Sequence, residues 1–306
     1  MAFLFNSPDA AREAVFRARL TAAFPDLPFL TARDDVAPEA VRFIFTWAPL
    51  PDWGRFPNLE AVFSVSAGVD QFAGLPREIP LIRMQDPMNT RRVVEYVTTS
   101  VLACLRDLPV LARCQRERNW APDRARLIAD TSVGILGLGA IGLEAARMLS
   151  GLGFRVAGWA LSPGAEDGVA RHTGAEGLDT LLAASDIVVC LLPLTPATEG
   201  ILNADLFARM RPGASLVHAG RGRHCVDADL AAALSSGRLR SAVIDVFDVE
   251  PLPADDARWD LPNCLVTPHV AGRIAPETAV ENVAENLARH ARGLPLLWQV
   301  DRDRGY

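Results

Sequence analysis

Ser132-Val-Gly-Ile-Leu-Gly137-Leu-Gly139-Ala-Ile-Gly142 decides the fold. The apolar run over 133–136 reads as a buried strand, and the glycines that follow it at a GxGxxG spacing open an Ala/Leu-rich segment of helical period. In that context the glycines allow a tight turn, a close approach of backbone to a pyrophosphate and the packing of helix on strand. The helix N-terminus adds N–H groups and positive potential. The stretch therefore predicts a dinucleotide site made by Gly137, Gly139, Ala140, Ile141 and Gly142.

Outward from this turn, residues 131–264 alternate short apolar runs with Ala/Leu-rich segments, the pattern of a parallel sheet covered on both faces. Strands are expected over 132–136, 155–159, 186–191, 214–218, 241–246 and 264–267. Helices are expected over 140–152, 178–184, 204–210 and 227–235, the last capped by Asp227. These make a six-stranded doubly wound α/β (Rossmann) domain. The first hundred residues repeat the alternation more loosely, with strands over 2–5, 43–46, 61–65 and 81–83 and a helix over 9–24, as a second, smaller α/β unit. Val93, Val97, Val101, Leu105 and Leu108 put an apolar stripe on a helix over 92–108 that joins the two. A further helix over 276–292 precedes a tail whose packing the periodicity does not decide.

At 306 residues the chain has room for two domains, at roughly 150 residues each. Half of it is hydrophobic and 22% charged, which excludes the disordered class. All 31 basic residues are arginine. Without lysine there is no Schiff-base nucleophile, no pyridoxal phosphate anchor and no P-loop, and a Tyr–Lys reductase mechanism is excluded as well. A net charge of −6, with arginines scattered among acids, offers no basic field to nucleic acid. The longest apolar run, 187–194, contains Pro193 and is shorter than the ~18 residues of a spanning helix, and no export signal is visible, so no membrane partner is expected. Five widely spaced cysteines without a CxxC read as reduced core residues of a cytoplasmic protein. No metal site is predicted, since His224-Cys225 lacks further spaced ligands.

The end of the second strand chooses between nicotinamide cofactors, because an acid there binds the ribose diol and repels a 2′-phosphate. Gly158-Trp-Ala-Leu-Ser-Pro163 holds no acid before Glu166, which favours NADP(H) and leaves NAD(H) open. Ser162 is the candidate phosphate contact, with Arg171 a more remote one. Ligands of parallel sheets lie beyond the carboxyl ends of the strands. Arg221 follows the fourth strand, Glu250 the fifth and His269 the sixth, so all three are expected on the edge that carries the glycine loop. Reduction of a carbonyl by a nicotinamide needs a proton donor, a cation for an accompanying carboxylate and a group that orients the donor. His269, Arg221 and Glu250 suit those roles: the planar fork of arginine bonds both carboxylate oxygens, and a carboxylate against an imidazole fixes its tautomer. His172 and His290 read as surface residues, while His218 and His224 flank the Arg221 turn and stay unassigned.

The order Gly-Leu-Gly-Ala-Ile-Gly142, Gly-Arg221-Gly, Asp245-Val-Phe-Asp-Val-Glu250-Pro and Thr267-Pro-His269 resembles the D-isomer-specific 2-hydroxyacid dehydrogenase family over nearly the whole chain. The resemblance implies Arg221, Glu250 and His269 as the catalytic set and Asp245 at the nicotinamide carboxamide. It implies amides near Gly68 and Val69, in Ser66-Ala-Gly-Val-Asp70, on the substrate carboxylate, and places Leu192, Pro193 and Thr198 beside the nicotinamide ribose. Trp47, the Trp159 strand end and residues 299–306 resemble the branch that reduces glyoxylate and hydroxypyruvate, which implies NADPH, a small 2-oxo acid and a homodimer. Trp47 then either walls the substrate pocket or packs as a core aromatic; Trp53 reads as packing. The resemblance also implies that the C-terminal helix returns to the first domain. A flavodoxin-like substrate domain would comprise residues 1–95 with 273–306, and a Rossmann cofactor domain residues 96–272. The chain departs from the family at His218, where Asn is common, and at Leu161, where the branch carries an arginine.

Two alternatives stay open on the residues: a non-catalytic NAD(P)-sensing regulator of the same fold, and a dehydrogenase for a different small acid. The complete Arg, Glu and His set argues against the first.

Overall fold

Phe3, Phe5, Phe43, Phe45 and Phe63 pack in one core cluster, and the residues between them, Leu4, Ile44 and Val62, pack in another. Side chains along a strand alternate between faces, so these strands are apolar on both and need cover on both. In the computed structural model, which describes residues 1–66, 68–121, 126–161, 164 and 168–302, that cover divides into two compact units. One holds residues 1–89 with 273–306 and the other residues 90–272.

In the first unit β1 (Ala2–Asn6), α1 (Ala10–Ala23), β2 (Phe29–Thr31), β3 (Val41–Thr46), β4 (Ala61–Ser64) and β5 (Leu81–Ile82) build a parallel sheet in the order β2-β1-β3-β4-β5. The short β2 escapes the sequence pattern because three residues are too few to display a period. Asp9 caps α1 by accepting the Arg12 N–H at 3.0 Å.

The chain continues through α2 (Pro87–Leu105) and α3 (Leu108–Arg116), separated at Asp107, whose φ of 55° ends the single helix expected over 92–108. Then follow β6 (Ser132–Leu136), α4 (Ala140–Gly151), β7 (Arg155–Trp159), β8 (Ala170–His172), α5 (Gly174–Ala184), β9 (Ile187–Cys190), α6 (Ala204–Arg209), β10 (Ala214–His218), α7 (Asp227–Ser235), β11 (Leu239–Ile244) and β12 (Cys264–Val266). The parallel sheet has seven strands rather than six, in the order β12-β11-β10-β9-β6-β7-β8. The addition, β8, lies at an edge with partly exposed residues, so no apolar run announces it. Helix α7 begins at Asp227, which makes Val226 its cap residue and not Asp227. Valines of α2 and the Ala145, Ala146 and Leu149 of α4 cover one face of the sheet, and apolar residues of α5, α6 and α7 cover the other. This is the doubly wound class that the alternation of runs predicts.

The last helix, α8 (Pro276–Ala291), belongs to the first unit and buries Ala279, Val280, Val283 and Leu287 beside Phe16 and Leu20 of α1. Beyond it the tail lies along β5: Arg83 N–H donates to the Trp298 carbonyl at 3.1 Å and Val300 N–H to that of Leu81 at 2.9 Å. Backbone bonding of this kind covers a sheet edge. No helix among the described residues is long and apolar enough to cross a membrane.

Candidate active site

The order of the seven-stranded sheet reverses between β6 and β9, the point beyond whose strand ends a doubly wound fold takes its ligand. Two loops meet there. Gly137, at φ +104°, leaves β6 so close to the loop after β9 that a Cβ would lie 2.9 Å from the Leu191 carbonyl. At Gly142 a Cβ would lie 1.9 Å from the Gly137 oxygen, so the first turn of α4 rests directly on the loop. Gly158 of β7 makes room in the same way for the side chain of Leu138. Gly139 differs: a Cβ there would meet no protein atom within 4 Å, and it sits at the N-cap of α4 with no side chain bonding the first turn. A cradle packed to contact on the protein side and open at Gly139 fits a dinucleotide pyrophosphate, and Ala140 and Ile141 supply the first helical N–H groups. Ser162 lies outside the described residues.

The facing loop is self-bonded. Thr198, fully buried, donates its hydroxyl to the Pro193 carbonyl at 2.7 Å and accepts the Thr195 N–H at 2.9 Å, and Leu192 is buried beneath. The structure thus places Thr198 as a brace of this loop and leaves Pro193 partly exposed.

Arg221 follows β10 on a turn clamped by two buried histidines. His218 Nε2–H donates to the Arg221 carbonyl at 2.9 Å, and the Arg221 N–H donates to His224 Nδ1 at 3.0 Å. Because that nitrogen accepts, His224 carries its proton on Nε2, which donates to the Pro193 carbonyl at 3.2 Å. One chain of bonds therefore joins the Arg221 turn to the loop after β9. Burial, then the neighbouring His224, pushes His218 down to about 3, so it stays neutral. Cys190 lies close by with its thiol pushed up to about 12 by burial, and the potential ligand atoms of Cys190, His218 and His224 fall within 4.8 Å of one another. Both His224 nitrogens are engaged in the bonds that tie the Arg221 turn to Pro193. No sequence pattern announces the clamp, although the spacing of both histidines about Arg221 is visible.

Gly222 explains why a glycine follows the arginine. A Cβ there would lie 1.9 Å from the Phe247 carbonyl carbon, so the Arg221 turn packs without a gap on the segment carrying Glu250. Glu250 Oε1 accepts the Phe247 N–H at 2.9 Å, and Oε2 accepts from His269 Nδ1 at 2.7 Å. Burial pushes the Glu250 carboxyl up, but the bonds from His269 and Phe247 and the charges of His269 and Arg221 outweigh it and hold the group below the usual carboxylate range. Arg221, Glu250 and His269 are thus brought together, with Nδ1 of the imidazole committed to the carboxylate.

His269 has φ +51°, a left-handed conformation that a non-glycine residue adopts only when its surroundings impose it. Asp245 imposes it. This fully buried carboxylate accepts the Thr267 hydroxyl at 2.6 Å and the Val270 N–H at 2.9 Å on Oδ1, and the Ala271 N–H at 2.9 Å on Oδ2. Its carbonyl accepts the His269 N–H at 2.9 Å. The Tyr96 hydroxyl donates to Thr267 at 2.6 Å and extends the network to α2. In the structure, then, Asp245 is a clamp on the loop that presents His269, a role the sequence did not reveal because its partners lie 22 to 26 residues away.

Within the first unit Trp47 follows β3 with 46% of its surface exposed, its carbonyl accepting from Gln71 at 3.1 Å. Val69 is buried, and Gly68 turns its carbonyl inward to the hydroxyls of Ser66 at 2.6 Å and Ser64 at 3.2 Å. Trp53 is buried with Phe56 and Phe72 as packing.

The family model of the NAD-binding domain of D-isomer-specific 2-hydroxyacid dehydrogenases matches residues 98–271. The chain is 35% identical to a glyoxylate/hydroxypyruvate reductase A from Serratia proteamaculans, across 86% of this chain and 87% of that one. Among solved structures, a D-isomer-specific 2-hydroxyacid dehydrogenase from Xanthobacter autotrophicus in complex with NADPH is 40% identical, with a TM-score of 0.88 over 100% of this chain and 99% of that one. An NADPH-dependent glyoxylate/hydroxypyruvate reductase from Sinorhizobium meliloti, in complex with NADP and sulfate, is 36% identical, also with a TM-score of 0.88 over 100% and 99% of the chains.

Proposed function

Because the chain belongs to the D-isomer-specific 2-hydroxyacid dehydrogenase family, we propose that it reduces a small 2-oxo acid of the glyoxylate/hydroxypyruvate type to the D-2-hydroxy acid with NADPH as cofactor. The observation that carries this reading is the 2.7 Å bond between Glu250 and His269 in a group that also includes Arg221. The glycine cradle of residues 137–142 would hold the dinucleotide, with residues 192–198 on its nicotinamide side. When bound, the dihydronicotinamide supplies hydride.

The remaining work falls to this chain's side chains. Arg221 bonds the substrate carboxylate through its planar fork and so orients the adjacent carbonyl. Glu250 holds the His269 imidazole with Nδ1 protonated, and Nε2–H delivers the proton to the carbonyl oxygen as it becomes an alkoxide. The charge that would build on that oxygen is met by imidazolium and guanidinium. Trp47 limits the size of the substrate. Residues 1–95 with 273–306 form the substrate domain in this reading and residues 96–272 the cofactor domain. The protein acts as a homodimer in the cytoplasm, where five free cysteines fit the reducing conditions.

Initial rates of NADPH and NADH oxidation with glyoxylate, hydroxypyruvate, pyruvate and phenylpyruvate test the proposal. It expects turnover fastest with the two smallest acids and with NADPH. Binding of NADPH without oxidation by any of them would replace the enzyme with a cofactor-sensing regulator, and sedimentation velocity reads the dimer.

A further inference from the structure

The strand end that should recognise the adenosine ribose carries neither an acid nor an arginine: β7 runs into Trp159-Ala-Leu161. A cation reaches the place from a different strand. Arg171 lies in β8, directly beside Gly158 in the parallel register. Paired residues of parallel strands project from the same face, and Gly158 leaves that face open for Leu138. Arg171 Nη2 donates to the Leu138 carbonyl at 3.4 Å, inside the glycine loop itself. β8 is held at the end of β7 by the Ala160 N–H, which donates to the His172 carbonyl at 3.1 Å, and by Trp159 Nε1, which donates to Gly174 at 2.9 Å.

In a doubly wound domain the adenosine ribose lies past the end of the second strand, against the glycine loop. The geometry points to Arg171 as the residue that recognises the 2′-phosphate of NADP(H), so that cofactor choice in this chain is made from the added edge strand and not from the residues after β7. A planar guanidinium matches a phosphate edge better than a point charge does. The inference rests on the reductase reading for the identity of the dinucleotide.

Equilibrium titration with 2′,5′-ADP, 5′-ADP, NADPH and NADH separates the two claims. In Arg171→Gln the affinity for 2′,5′-ADP and NADPH should fall about 10- to 100-fold, as for loss of a charge-assisted bidentate contact, with 5′-ADP and NADH changing less than about threefold. Arg171→Lys should recover part of the 2′,5′-ADP affinity, and the salt dependence of NADPH binding should weaken in the Gln variant. Equal losses for all four ligands would reduce Arg171 to a tie between β8 and the glycine loop and overturn the inference, as would unchanged 2′,5′-ADP binding. If the wild-type protein bound no nicotinamide dinucleotide, the reductase reading would fail too, whereas dinucleotide binding indifferent to Arg171 would sink this inference alone. Circular dichroism of both variants confirms that the fold is retained.

Discussion

Gly139→Ala and Gly142→Ala exchange the same atom three residues apart, and the structure assigns them opposite consequences. Gly139 has φ −79° and ψ −169°, extended backbone open to any residue, and its added Cβ meets nothing in the protein within 4 Å. Alanine there restricts the unfolded chain, worth about 0.4–1 kcal/mol, but caps a helix less well than glycine by a similar amount, so the apoprotein's stability should change by less than about 1 kcal/mol. The same methyl stands where a pyrophosphate must approach the backbone. Loss of one charge-assisted hydrogen bond is worth roughly 1.5–3 kcal/mol, so the NADPH Kd should rise about 10- to 150-fold. Gly142 reverses the pattern. Its Cβ would fall short of the 3.4 Å of ordinary contact with the Gly137 oxygen by about 1.5 Å, and that neighbour is backbone that cannot rotate away. Against fixed backbone the cost lies in the upper part of the usual overpacking range, about 2–3 kcal/mol, and a helix-propensity gain of up to ~1 kcal/mol leaves a net loss of roughly 1–2 kcal/mol. For a unit of this size that is a fall of about 2–8 °C in Tm. Thermal unfolding of the apoproteins and fluorescence titration with NADPH measure both quantities. A Gly139→Ala protein that binds NADPH like wild type would refute the cradle, as would a Gly142→Ala protein more stable than wild type.

His269→Ala should lower kcat by about 10²–10⁴ with the NADPH Kd nearly unchanged; comparable turnover in the variant would remove the imidazole from proton transfer. Arg221→Lys should raise KM for glyoxylate about tenfold or more, because an ammonium cannot bond both carboxylate oxygens, and an unchanged KM would reject the assignment. His218 sets a pH dependence. Its native value of about 3 lies below the ~6.5 of an unfolded histidine, so between the two the unfolded chain binds the extra proton. Stability from this group is fully present above pH ~6.5 and is lost on acidification by about 1.4 kcal/mol per pH unit until pH nears 3. His218→Asn should flatten the acid limb of Tm against pH, whatever its effect on the plateau; a limb of unchanged slope would mean that His218 titrates normally.

The strand–glycine–helix reading of residues 132–142 needed only local information, because a buried strand, a tight turn and an amphipathic helix each leave a period or a residue type in the sequence. The alternation of runs likewise decided a doubly wound sheet, and the rule that ligands lie beyond strand ends was enough to group Arg221, Glu250 and His269. What tertiary structure alone decided involves partners far apart in the chain. Asp245 clamps the His269 loop, His218 and His224 fasten the Arg221 turn to the loop of Pro193, and Arg171 reaches Leu138 across 33 positions. Side-chain-to-backbone bonds of this sort leave no periodicity, since the acceptor is a carbonyl that every residue possesses. Short edge strands such as β8, and the tail that covers β5, are equally silent: the energy that orders them comes from a neighbouring strand's free backbone groups and not from the composition of their own residues.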